Sequence, residues 1–154
     1  MLVAPPDIDE IQSKFTSYSF VEGELFYWSA KSQSVYYNRA ELETPPGLYR
    51  LLHELGHALC DHQTFQSGVA LLSLEVEAWE KAKEIAADYN VTIPEDHIES
   101  CLDSYRDWLH KRSTCPKCET ISVEYEPNYY RCFNCLHRWN VSGNQLLRCY
   151  RRAT

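Results

Sequence analysis

The chain has 154 residues, enough for one ordinary domain or two small ones, and its 44% hydrophobic and 13% aromatic content excludes an intrinsically disordered protein. No apolar run approaches the roughly 20 residues of a membrane-spanning helix. The start, MLVAPPDIDE, lacks a basic region followed by an apolar one, so we expect a cytoplasmic protein with no signal peptide and no membrane partner. The net charge of −7 divides into −12 for residues 1–110 and +5 for residues 111–154, which predicts two units with different partners.

The predicted elements begin with a short helix around residues 9–15. Two runs of strand-forming residues follow, at 24–27 and 34–38, and the turn-like sequence AKSQS separates them. This pattern predicts a β-hairpin.

Three longer helices are predicted next. Thr44 is suited to cap the first helix and Pro45 to occupy its first turn, and leucines recur at helical spacing until the helix ends near residues 61–62. The second helix runs from about residue 71 to 89 and is dense in Ala, Glu, Lys and Leu. The third is predicted at about 95–110, after Pro94 interrupts the chain.

The first of these helices carries the motif His53-Glu54-Leu55-Gly56-His57. Two histidines four residues apart project from one face of a helix, so both imidazoles can bind one zinc ion. Glu54 directly follows the first histidine and can take the proton of a metal-bound water as a general base. The motif therefore predicts a catalytic zinc site with His53 and His57 as ligands and Glu54 as the catalytic residue.

A catalytic zinc needs a third protein ligand, and three candidates follow the motif. His62 lies five residues after His57, one residue short of the third histidine in the elongated His-rich motif. A carboxylate on the next helix, within residues 74–80, can reach the metal from the other side. Cys60, one turn past His57, fits better as a small buried core residue than as a ligand.

HELGH, followed on the next helix by Glu75-x-Glu77-Ala-x-x-x-Ala, resembles the gluzincin metallopeptidases and is most similar to their small ImmA/IrrE-type and minigluzincin forms. The resemblance covers roughly residues 20–110. It implies a small zincin-like α+β domain, in which a short β-sheet supports the motif helix and a glutamate helix. It also implies Glu75 as the third ligand of the catalytic zinc, with Glu77 or His62 as the alternative.

The same resemblance implies three further roles. Ala78 and Ala82 would be the small residues that let two helices approach closely. Trp79 stands where family members usually carry Asn or Asp, which orient a histidine ligand through a hydrogen bond. The strand at 34–38 would be an edge strand above the metal that pairs with the substrate backbone. The alternative for that strand is an ordinary core strand.

Five of the seven cysteines lie after residue 110. Without an export signal, a metal site explains so many cysteines better than disulfides do. Two CxxC pairs thirteen residues apart predict a β zinc ribbon, with strands at 121–125 and 128–131, whose four thiolates hold a structural zinc: Cys115, Cys118, Cys132 and Cys135. We therefore predict a metallopeptidase-like domain at 1–110, a zinc ribbon at 111–154, and two zinc ions per chain.

The ribbon also carries basic and aromatic residues that together suggest nucleic-acid binding through phosphate contacts and base stacking. These residues are Lys117, Arg131, Arg138, Arg148, Arg151, Arg152, Tyr129, Tyr130, Phe133 and Trp139. The alternative is a protein-docking or purely structural module.

Together these patterns predict a zinc-dependent endopeptidase that hydrolyses a protein or peptide substrate with a metal-activated water and is targeted by its ribbon. One alternative is a SprT-like, DNA-associated protease, since that family also joins HExxH to a C-terminal zinc ribbon. Its members, however, need a third histidine well beyond the motif helix. The other alternative is a non-catalytic, zinc-containing regulatory or nucleic-acid-binding protein, although a purely structural site has no need of Glu54.

Overall fold

The computed structural model describes residues 4–65, 67–141 and 151–153. Within these ranges the chain is a mixed α+β protein with four α-helices and two small sheets. The helices are α1 (Ile8–Lys14), α2 (Pro45–Leu59), α3 (Gly68–Asp88) and α4 (Glu95–Ser113). None of these described helices is both long and apolar enough to cross a lipid bilayer.

The first sheet has three strands, β1 (Ser19–Glu22), β2 (Tyr27–Ser29) and β3 (Ser34–Tyr37), in the order β1-β3-β2. β3 pairs with β2 in antiparallel fashion, so a hairpin forms, but its first strand lies at Tyr27–Ser29 and not at the predicted residues 24–27. β3 also pairs with β1 in parallel fashion. The prediction that β3 is an edge strand is therefore wrong, because β3 has a partner on each side. Its side chains Val35 and Tyr37 are buried, so β3 is a core strand, and β2 takes the edge position.

Helix α2 begins where the sequence predicts. The Thr44 hydroxyl accepts a hydrogen bond from the Gly47 N–H, which satisfies one of the free donors at a helix start. One face of the helix is buried through four leucines: Leu48, Leu51, Leu52 and Leu55. Burying each of these side chains contributes about 1.5–3 kcal/mol to folding, so the helix that carries the HExxH motif is firmly fixed by packing.

The chain divides into two compact units. One comprises the residues up to Gln63 together with Leu74–Ile98, and the other comprises Thr64–Ser73 and the chain from Glu99 onward. The sequence predicts one boundary after residue 110, whereas each of these units takes part of α3 and part of α4. The motif helix and the glutamate segment of α3 belong to the first unit, and the four ribbon cysteines belong to the second.

The second unit contains an antiparallel sheet in the order β4-β5-β6-β7. Its strands are β4 (Glu124–Glu126), β5 (Tyr129–Arg131), β6 (Arg138–Val141) and β7 (Arg151–Ala153). Tyr130 and Trp139 are partners in the β5–β6 register, and their buried rings stack with centroids 5.2 Å apart. These two rings and the buried cysteines form the small core of this unit.

A buried arginine joins the end of α4 to this sheet. Arg112 Nη2 donates a hydrogen bond to Asn128 Oδ1 at 2.6 Å and lies 3.5 Å from Glu124 Oε1. The Trp139 indole N–H donates to the Arg112 carbonyl at 3.0 Å. The Arg112 and Glu124 side chains are only 1% and 6% exposed, so each charge depends on the other for compensation.

Candidate metal centres

Two histidines of α2 converge on one glutamate of α3. The Nε2 atoms of His53 and His57, one helical turn apart, are separated by 3.2 Å. Glu75 Oε2 lies 2.7 Å from His53 Nε2, and Glu75 Oε1 lies 3.2 Å from His57 Nε2. One ligand atom from each of the three residues lies within 4.8 Å of the others, and all three residues are buried. The structure thus brings together the three residues that the sequence favours as the first ligand set.

Small residues let α2 and α3 come close enough for this convergence. A Cβ atom at Gly56 would lie 2.4 Å from the Ala78 carbonyl oxygen, far inside an ordinary contact. Ala78 and Ala82 are fully buried. Glycine is therefore favoured at the fourth position of the HExxH motif for a steric reason that the sequence pattern does not reveal.

The buried carboxylate and the two imidazoles stabilise one another electrostatically. Burial alone would raise the pKa of Glu75, but the hydrogen bonds and charges of His53 and His57 outweigh it and lower that pKa to about 2. Burial lowers the pKa of His53. For His57, burial is outweighed by the hydrogen bond and charge of Glu75, so its pKa is raised. An anionic carboxylate beside two imidazole nitrogens is a donor set suited to zinc.

Glu54 lies beside this ligand set and is not one of its members. The residue is half-buried, and burial raises the pKa of its carboxyl group to about 7, against the opposing effect of the nearby His57. Its carboxylate also interacts with the backbone N–H of Trp28, in the edge strand β2. This edge strand therefore borders the site.

Trp79 contacts a histidine of the motif through its ring. Its indole stacks on the His53 imidazole, with centroids 4.2 Å apart and planes 25° from parallel. His53 Nδ1 is buried and has no hydrogen-bond partner among the described residues. The hydrogen bond that the family resemblance implies from Asn or Asp at position 79 is thus absent from this part of the chain, and packing holds the His53 ring instead.

The end of α2 places a third histidine against His57. Asp61 adopts a left-handed backbone conformation, with φ of 52°. The N–H groups of Asp61 and His62 bond back to the carbonyl groups of Ala58 and His57, each at 3.0 Å. These two bonds form a Schellman motif, which usually has glycine at the left-handed position. The motif turns the chain so that His62 Nδ1 lies 2.8 Å from His57 Nδ1.

His62 and Glu77, the alternative third ligands, lie outside the group formed by His53, His57 and Glu75. His62 Nε2 is 2.9 Å from Glu77 Oε2, on a side chain that is 60% exposed. One ligand atom each from Cys60, His62 and Glu77 forms a separate group within 4.8 Å. The prediction that Cys60 is a small core residue is wrong, because it is half-buried at the C-terminal cap of α2.

In the second unit, the four ribbon cysteines converge on one point. These residues are Cys115, Cys118, Cys132 and Cys135, and their Sγ atoms all lie within 4.8 Å of one another. In each CxxC pair, the backbone N–H two residues after the first cysteine donates to its Sγ at 3.4 Å. Hydrogen bonds from Thr120 and Asn134 lower the pKa of Cys118 to about 5. Both effects favour the thiolate form, which binds a metal, at Cys115, Cys118 and Cys132. At Cys135, the backbone hydrogen bond of His137 is outweighed by burial and by the neighbouring cysteines, which raise the pKa to about 11.

The predicted nucleic-acid surface of the ribbon is only partly available. Tyr130 and Trp139 are buried in the core, so the prediction that they stack on bases is wrong. Phe133 is 73% exposed and Tyr129 is also exposed, as are three basic residues, Lys117, Arg131 and Arg138. Arg148 lies outside the described residues, and only the backbone is described for Arg151 and Arg152.

Comparisons with known protein families, curated proteins and solved structures find no match for this chain. The chemistry of these ligand groups and of the residues around them is therefore the basis for assigning a function.

Proposed function

We propose that the chain is a zinc-dependent endopeptidase with a zincin-like first unit and a structural zinc in its ribbon. The observation that carries the proposal is the convergence of His53, His57 and Glu75, with Glu54 beside them. Two imidazoles and one carboxylate leave a fourth position open, which is typical of catalytic zinc, whereas the four thiolates of the ribbon form a closed, structural set.

The chain's own residues supply the remaining chemistry. Zinc held by these three ligands would acidify water and polarise a carbonyl oxygen. The Glu54 carboxylate would take the proton of the attacking water and then deliver it to the leaving amine. Glu75 contributes the negative charge of the ligand set, and its low pKa keeps it ionised at neutral pH. A site with a purely structural metal has no use for a carboxylate in the position of Glu54.

The edge strand β2 supports a peptide as the substrate. Within the described residues β2 pairs only with β3, so its other edge is unpaired. Glu54 interacts with the backbone of Trp28 in that strand. An extended peptide that adds to an unpaired edge is held through its backbone, which would bring its carbonyl groups next to the base.

Two substitutions separate catalysis from metal binding. Glu54→Gln should retain zinc and lose hydrolysis, because an amide cannot accept the proton. Glu75→Ala should lower zinc affinity itself. Glu80→Gln is the matched control, since Glu80 lies on the same helix, is exposed and pairs with Lys83. Zinc content is measured by elemental analysis, and hydrolysis by mass spectrometry of a complex peptide pool.

The expected zinc content of the wild type is close to two ions per chain. Cleavage products that appear with wild type and Glu80→Gln, but not with Glu54→Gln, would support the proposal. If the zinc-loaded wild type releases no more products than Glu54→Gln does, the endopeptidase proposal is wrong and the non-catalytic regulator becomes the better description. If Glu75→Ala leaves zinc affinity unchanged, the ligand assignment is wrong.

For the ribbon, we propose contact with nucleic-acid phosphates as the targeting function. The first 110 residues carry −12 and the remainder +5, so the exposed Arg131 and Arg138 are suited to make the contact. Binding of the full chain to a labelled single-stranded oligonucleotide should weaken as salt rises. The double variant Arg131→Ala/Arg138→Ala should bind more weakly than the control Arg39→Ala. No detectable binding at low salt would leave a protein-docking or structural role.

A further inference from the structure

Four side chains of the first unit form a linear network of polar contacts with a carboxylate at each end. Glu75 Oε1 is 3.2 Å from His57 Nε2. The Nδ1 atoms of His57 and His62 are 2.8 Å apart, and His62 Nε2 is 2.9 Å from Glu77 Oε2. Only Glu75 and His57 belong to the zinc site proposed above. His62 and Glu77 have no role in that site, and they lead from it to the surface.

A single proton between the two Nδ1 atoms fixes the tautomers of both rings. A neutral imidazole carries one N–H, so one ring donates and the other accepts. When His57 donates, its Nε2 lone pair is free and His62 donates its own Nε2–H to Glu77. When His62 donates, its Nε2 lone pair is free and His57 donates its Nε2–H to Glu75. Each arrangement therefore leaves one Nε2 lone pair beside a carboxylate, at Glu75 in the first case and at Glu77 in the second, and a cation can occupy that position.

We propose that Cys60, His62 and Glu77 form a second zinc site at the outer end of this network of side chains. One ligand atom from each residue lies within 4.8 Å of the others. A thiolate, an imidazole and a carboxylate form a donor set suited to zinc. The Cys60 thiol releases its proton to solvent as the metal binds. Because Cys60 is half-buried and Glu77 exposed, this site exchanges metal readily and binds it more weakly than the buried one.

Zinc binding at either of the two sites lowers the zinc affinity of the other. This coupling rests on the zinc site proposed above. Zinc on His62 Nε2 requires the shared proton to lie on His62 Nδ1, which leaves the other proton on His57 Nε2. That atom is then no longer a ligand for the first site. Filling both sites at once breaks the bond between the two rings, and losing one buried hydrogen bond corresponds to about a tenfold loss of affinity. Excess zinc therefore lowers the affinity of the first site for the catalytic zinc.

The test measures zinc uptake by the full chain, not activity. Protein that already holds two zinc ions is titrated with further zinc in competition with a chromophoric chelator. Wild type should bind a third, weaker zinc, and Cys60→Ser and Glu77→Gln should each lower that affinity at least tenfold. Glu80→Gln is the matched control, because its side chain is 64% exposed against 60% for Glu77. Equal third-zinc binding by all four proteins would overturn the second site.

Alkylation of wild-type protein gives a readout that does not depend on the folding of a variant. Excess zinc should slow the reaction of Cys60 with iodoacetamide, as followed by peptide mass spectrometry. An unchanged rate would also overturn the second site.

A separate variant tests the coupling between the two zinc sites. His53→Ala removes a ligand of the first site and should bind zinc at Cys60 about tenfold more tightly than wild type does. Unchanged affinity there would overturn the coupling and leave the second site standing. If His53→Ala does not reduce the zinc that copurifies with the protein, the first site fails, which is a separate result from any Cys60-dependent binding.

Discussion

Substituting Gly56 by alanine tests whether the distance between α2 and α3 controls the proposed catalytic site. The new Cβ atom would lie 2.4 Å from the Ala78 carbonyl oxygen, whereas real Cβ contacts essentially never fall below 3.0 Å. The helices must therefore separate by at least 0.6 Å at this point, the difference between those two distances. Metal–ligand distances tolerate only about 0.2 Å. Glu75, three residues before Ala78, should then be held too far from His53 and His57.

Stability and zinc affinity should respond differently to Gly56→Ala. Alanine gains about 1 kcal/mol of helix propensity over glycine, and overpacking costs about 1–3 kcal/mol. The net change in the free energy of unfolding therefore lies between zero and a loss of about 2 kcal/mol. Affinity for the first zinc should fall at least tenfold, or about 1.4 kcal/mol.

Competition titration against a chelator measures this zinc affinity, and guanidinium unfolding measures the stability. Gly23→Ala is the control, because a Cβ atom there meets nothing within 4 Å, and it should leave zinc affinity unchanged. A Gly56→Ala protein that folds and binds the first zinc as tightly as wild type would refute the argument that helix spacing sets the ligand geometry.

Three further predictions concern the turn after α2 and the second unit. Asp61→Gly should raise the free energy of unfolding by up to about 1 kcal/mol in thermal melts, because glycine has no steric penalty in the left-handed conformation; a drop in stability would contradict this. Arg112→Met should cost about 3–5 kcal/mol in chemical denaturation, because it leaves the Glu124 carboxylate buried without a countercharge, and a change below 1 kcal/mol would contradict it. Cys132→Ser should remove one zinc ion per chain in elemental analysis and leave the other in place; loss of both ions would mean that the two sites are not independent.

The parts of the candidate site that depend on helical periodicity could be predicted from the sequence. His53 and His57 share a face because residues four apart always do so on an α-helix, and the structure brings Glu75 to them as expected. The contact between His57 and His62 could not be predicted. It depends on Asp61 taking a left-handed conformation, and aspartate signals that conformation far less strongly than glycine does.

The sheets were harder to predict because their strands are short. Strand β1 has the sequence SFVE and is largely exposed, without the clear alternation that marks a half-buried strand. Because β1 pairs with β3, β3 lies in the middle of the sheet and not at the predicted edge. In the second unit, Tyr130 and Trp139 looked like surface residues for stacking on bases. A unit this small can build a core only by burying its large aromatic rings. Tyr130 and Trp139 therefore lie in the core and not on the surface.

The stacking of Trp79 on His53 also gives the protein an optical signal. Indole emission is sensitive to the charge and electron demand of a ring in direct contact with it, and the two centroids are 4.2 Å apart. Protonation of His53, or its capture by a metal, should therefore change the light that Trp79 emits. The ring contact between Trp79 and His53 thus offers a way to follow the state of His53 in a fluorimeter, in real time and without a label.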